Sequence, residues 1–197
     1  VSGTSTLAAN TNTTGIQTYT GNVTLSGGDR TLTGSTITTN GTIVGGTNSL
    51  AITGNAVFGD GTADTVTGVN VLSVSGNTII HTNTVTTTST QTYGDNAASD
   101  TITLGNSTTL TTTNSQITFN GIVNSESAEQ NNLTLSVGTS EVEFNGAVGG
   151  SRLLGAISIT GALDLNAAIT SASSLSVSTT SDLGANVTTS GTQTYTG

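Results

Sequence analysis

Apolar residues in this chain recur at every second position within short runs, with Ser or Thr between them. Leu72-Ser73-Val74-Ser75, Leu133-Thr134-Leu135-Ser136-Val137, Ile157-Ser158-Ile159-Thr160 and Leu175-Ser176-Val177-Ser178 all read this way. Successive side chains of a strand point to opposite faces, so a period of two puts the apolar set on a core face and the hydroxyls on the other. The period is not the 3.6 of a helix. Gly, Asn or Asp separates the runs, as at Gly27-Gly28, Asn40-Gly41, Gly45-Gly46, Asn120-Gly121 and Asn145-Gly146. Asn-Gly signals a turn because both residues tolerate positive φ. The pattern predicts an all-β chain of many short strands.

Internal repeats narrow the architecture. Gln-Thr-Tyr occurs at Gln17-Thr18-Tyr19, Gln91-Thr92-Tyr93 and Gln193-Thr194-Tyr195, and holds all three tyrosines. A second similarity joins Phe119-Asn120-Gly121-Ile122-Val123 to Phe144-Asn145-Gly146-Ala147-Val148, and the segment Ser35 to Val44 to the segment Ser115 to Val123. These relations predict one repetitive unit over 1–197, with long repeats starting near 15, 89 and 191 and the chain belonging to a longer array. Two all-β folds fit: a parallel β-helix (β-solenoid), or tandem antiparallel Ig-like β-sandwich modules. The absence of Pro, Cys and Trp and the three Phe favour the β-solenoid, whose thin core is filled by stacked Val, Ile, Leu and Ala. Coils of about 20 residues would give about ten coils and a rod of about 50 Å at about 4.8 Å per coil.

Composition adds exclusions. Charged residues are 7% of the chain, and there is no Met and no Lys, so exposed helix faces have little to be built from. The net charge is −9, with Arg30 and Arg152 the only strong bases. A nucleic-acid partner or a basic membrane-surface patch needs clustered Lys or Arg, so neither is expected. No run of about 18 apolar residues exists to span a membrane as a helix. No signal-peptide pattern begins at Val1, so the expectation is a mature chain or an excised piece.

The motifs Gly-Thr-Gln-Thr-Tyr-Thr-Gly at 191–197, Thr-Leu-Thr at 31–33 and 109–111, Phe-Asn-Gly-x-Val at 119–123 and Gly-Ala-Val-Gly-Gly at 146–150 resemble the repeats of very large bacterial exoproteins of the filamentous haemagglutinin type and related β-strand-repeat adhesins. The resemblance implies a right-handed parallel β-helix, a location outside the cell or on the bacterial surface, and a role as stalk, adhesin or matrix fibre. The secretion domain typical of that family is not evident in the sequence. The expected partners are neighbouring repeats or copies of the chain end to end, with cell-surface glycans as the alternative ligand of an adhesin module.

Candidate chemistry is sparse, and no enzyme activity is expected. His81 is the single histidine; no Gly-x-Ser-x-Gly element accompanies it, and one His with no Cys makes a poor zinc site, so it reads as a surface or strand residue. Gly59-Asp60-Gly61-Thr62-Ala63-Asp64-Thr65-Val66-Thr67 partly matches a calcium-binding β-roll nonapeptide, which makes Asp60 and Asp64 weak calcium candidates. Two of the expected glycines are Asp60 and Thr62, and the nine-residue period does not recur, so a solvated turn and no cofactor is the expectation. Glu126, Glu129, Glu141 and Glu143 read as solvent-facing. Asn-x-Ser/Thr at Asn12, Asn22, Asn40, Asn106, Asn132 and Asn186 offers glycosylation acceptors. Thr-x-Thr pairs start at Thr31, Thr36, Thr65, Thr84, Thr101 and Thr109. They resemble the flat face of β-solenoid ice-binding proteins, but their unequal intervals argue against one pair per coil.

Overall fold

A computed structural model describes residues 1–95 and 99–197. Among the described residues it is a β-solenoid of about nine turns with no helix, built from 22 strands. Neighbouring coils pair parallel throughout the rod, which separates it from an antiparallel sandwich.

Three inward ladders define three faces. The first runs Val23, Ile43, Val66, Val85, Leu110, Leu135, Ile159, Val177, Tyr195. The second runs Leu32, Ile52, Val74, Tyr93, Phe119, Phe144, Leu165 and ends on the exposed Leu183. The third runs Ile37, Ala56, Thr78, Ile102, Val123, Val148, Ile169, Val187. Each ladder is what a period of two produces when the polar partners of every pair face out.

Coil length varies. Leu7 pairs with Leu25, 18 positions later, whereas Tyr93 pairs with Phe119, 26 positions later. The longest coils hold three of the four largest fully buried residues. Tyr93, Phe119 and Phe144 stack on successive coils with ring centroids 5.4 and 5.0 Å apart and planes within 14° and 10°. The residues that follow Phe119, Phe144 and Leu165 form a ladder of amides: Asn166 Nδ2 donates to Asn145 Oδ1 and Asn145 Nδ2 to Asn120 Oδ1, both at 3.0 Å. At its end, Asn120 Nδ2 donates to Gly94 O, also at 3.0 Å.

The Asn-Gly pairs mark corners, but not through positive φ. Gly121 and Gly146 are needed for closeness: a Cβ on Gly121 would lie 2.4 Å from Asp100 O, and one on Gly146 2.2 Å from Gly121 O. Stacked coils approach too tightly at this corner for any side chain.

The Gln-Thr-Tyr motif is a corner clamp. Tyr93 OH donates to Gln91 Oε1 at 2.9 Å, while Gln91 Nε2 donates to Val85 O and Thr87 Oγ1, both at 3.3 Å. The same amide reaches Thr111 O of the next coil at 2.9 Å. Gln17 and Tyr19 repeat the arrangement with Thr11 O, Thr13 Oγ1 and Thr33 O. Gln193 and Tyr195 repeat its intra-coil half with Val187 O and Thr189 Oγ1. The three clamps occupy three different corners: Gln91 lies on the second face beside Leu72, Gln17 on the third beside Ile37, and Gln193 on the first beside Leu175. One nine-residue arc therefore turns the chain at any corner of the coil.

Candidate functional surface

The chemistry-bearing side chains lie on the outside of the rod and at its corners. His81 follows the third-face strand Thr78–Ile80 and is half-buried. Its ring packs over Gly105, whose hypothetical Cβ would strike the imidazole, and its Nε2 lies 3.8 Å from Glu126 Oε2. The backbone fixes this placement: His81 N donates to Phe58 O at 2.9 Å, and His81 O accepts from Asn106 Nδ2.

Asp60 and Asp64 fall in the corner loop after Phe58. Gly59 turns the chain at φ 76°, Asp64 Oδ2 accepts from Asp60 N at 3.3 Å, and Asp64 N donates to Gly61 O at 3.4 Å. The carboxylate of Asp64 thus closes its own loop. Tyr93-Gly94-Asp95 repeats the device: Gly94 has φ 83°, and Asp100 Oδ2 accepts from Asp95 N at 3.3 Å. Sequence reading missed this second carboxylate–amide contact; the signal was the shared aromatic-Gly-Asp followed by Asp-Thr, at Asp64-Thr65 and Asp100-Thr101. Among the described residues, no three of His, Cys, Asp and Glu converge in a metal-binding group.

The two arginines stand apart. Arg30 is buried, and its guanidinium is spent on main-chain carbonyls: Nε donates to Leu7 O at 2.9 Å, Nη1 to Asp29 O at 2.6 Å and Nη2 to Ser26 O. It closes the corner between the first two coils. Arg152 is exposed, and its backbone N–H donates to Asn124 Oδ1 at 3.0 Å.

Folding also makes an acidic column that the linear sequence hides. Glu143, Asp164 and Asp182 pair on three successive coils of the second face. Like charges directly opposite one another destabilise a sheet by a few tenths to about 1 kcal/mol. Asp164→Asn, which interrupts the column, is expected to raise the melting temperature in low salt, with the gain shrinking as salt is added. Thermal melts of both proteins across a salt series would check this.

The Thr-x-Thr pairs separate by face. Thr31 and Thr33 flank the second ladder, while Thr36/Thr38 and Thr101/Thr103 flank the third. Thr65/Thr67, Thr84/Thr86 and Thr109/Thr111 flank Val66, Val85 and Leu110 on three consecutive coils of the first face. A register shift between Val85 and Thr87 takes Thr86 out of line with Thr67, whereas Thr84/Thr86 and Thr109/Thr111 are register partners, so the array is regular from Thr84 onward and corners of unequal length absorb the unequal sequence intervals.

Neither protein-family models, curated proteins nor solved structures yield a match to this chain.

Proposed function

We propose that the chain is a non-catalytic structural segment of an extracellular bacterial fibre or surface adhesin, in which stacked coils form a stiff rod. The observation that carries the reading is the parallel ladder, continuous from the strand Ser5–Leu7 to the strand Gln193–Tyr195. Adding a coil to such a ladder adds length and a nearest-neighbour interface without requiring any new fold. The terminal strands Ser181–Leu183, Val187–Thr189 and Gln193–Tyr195 pair on one side only. In such an array the partners are neighbouring repeats or copies of the chain end to end.

Small-angle scattering of dilute chain should give a cylinder about 45 Å long, the span of nine inter-coil steps. Immunolabelling and protease shaving of intact source cells should reach the protein at the surface. A protein shielded from both, and released only by lysis, would overturn the extracellular assignment while leaving the rod intact.

A further inference from the structure

The first face carries more than the three Thr-x-Thr pairs. Thr84, Thr109, Thr134, Ser158, Ser176 and Thr194 stand in one column of register partners over six successive coils. Thr86, Thr111, Ser136 and Thr160 form a parallel column beside it. Every residue of both columns is at least partly exposed, whereas Val85, Leu110, Leu135 and Ile159 between them are buried. Among the described residues, the one hydroxyl here that donates to a protein acceptor is that of Thr84, to Asn83 Oδ1 at 3.0 Å.

We propose that this face is an ice-binding surface. Its hydroxyls repeat in two dimensions, about 4.8 Å from coil to coil and about 6.7 Å between alternate residues of a strand. These two distances lie close to lattice repeats of hexagonal ice, so water held between neighbouring hydroxyls takes an ice-like spacing. Each threonine of the columns adds a methyl group beside its hydroxyl, and branching at Cβ restricts χ1, so these positions are held with little rotamer entropy to lose. None of the eleven acidic residues stands in either column. A charge there would orient water around itself and break the lattice.

The other faces lack these properties. The second presents Ala51, Glu143, Asp164 and Asp182, and the third Val57, Ile79 and Ile122, among its outward residues. A crystalline polysaccharide is the competing flat ligand. Its sugar faces are bound by exposed aromatic rings, and both columns consist of Ser and Thr alone.

The test uses the whole 197-residue chain. Ice shaping and thermal hysteresis are read in a nanolitre osmometer, and partition into a growing ice front is read by fluorescence of a labelled chain. The Thr109→Tyr/Thr134→Tyr double variant should lose hysteresis and ice partition, while Thr38→Tyr/Thr103→Tyr on the third face should keep both. Circular dichroism melts show whether each variant stays folded; Thr134→Ala/Ser158→Ala, which adds no bulk, gives a second measure and should weaken hysteresis. A wild-type chain that neither shapes ice nor enters it would overturn the proposal. So would equal losses on the two faces, or sedimentation with cellulose or chitin in the absence of ice partition.

Discussion

Gln91→Leu is expected to cost the rod about 3 kcal/mol, and adding Tyr93→Phe is expected to restore a large part of that loss. Gln91 and Tyr93 are both fully buried and satisfy one another, with the amide also tying two carbonyls and a threonine hydroxyl across the corner. Leucine fills much the same volume but leaves the Tyr93 hydroxyl in the core without an acceptor. An orphaned buried polar group costs about 1 to 3 kcal/mol, whereas replacing both partners by apolar groups of similar shape can be nearly neutral. Urea melts of wild type, both single variants and the double variant close the cycle. A double variant no more stable than Gln91→Leu would sink the clamp. A pH dependence accompanies it. Burial pushes the Tyr93 hydroxyl far above its ordinary value. The folded state therefore holds this proton longer than the unfolded chain does. The stability is fully present below the unfolded value of about 10 and declines as pH rises beyond it. Tyr93→Phe should flatten that alkaline decline.

Much of the fold was legible in the sequence, for a physical reason. A period of two specifies which side chains are inside wherever one face is buried, and runs such as Leu133 to Val137 leave no second solution. Parallel stacking was legible from thin-core composition. Coil length was not: a mean of about 20 residues conceals a range from the Leu7–Leu25 step to the Tyr93–Phe119 step. Corners differ in length because each needs only to close its own backbone hydrogen bonds, as the Asp64 and Asp100 loops do with a carboxylate. Linear spacing is therefore a poor guide to three-dimensional spacing in this chain.

That mismatch governs what could be read of the candidate surface. Thr65, Thr84 and Thr109 are unequally spaced along the chain yet stand on successive rungs. The later rungs use Ser158 and Ser176, which a search for Thr-x-Thr passes over. The Glu143, Asp164 and Asp182 column was hidden in the same way. Gln-Thr-Tyr was visible as a repeated marker, but its work at three separate corners emerges from the register, because the arc responds to local hydrogen bonding and not to which face it leaves.

Phe119→Ala should produce the largest single loss, about 3 to 5 kcal/mol, and should change the shape of the melt as well as its midpoint. Phe119 is fully buried in the middle of the rod, between Tyr93 and Phe144, and both stacking contacts vanish with the ring. In a linear array each coil is held by its two neighbours, so a void at a central coil weakens the interfaces on both sides. The coils on either side are then expected to melt separately, giving a broadened or two-step transition. Leu7→Ala in the first coil removes a core residue that touches one neighbouring coil through its ladder, so it should lower the midpoint less and keep a single transition. Hydrogen exchange locates the difference: protection around Ile117 and Val142 should fall in Phe119→Ala while that around Val23 persists. If Phe119→Ala melts in one sharp step with the same shift as Leu7→Ala, the aromatic stack is not what couples the two halves of the rod, and the corner clamps and amide ladder must carry that coupling.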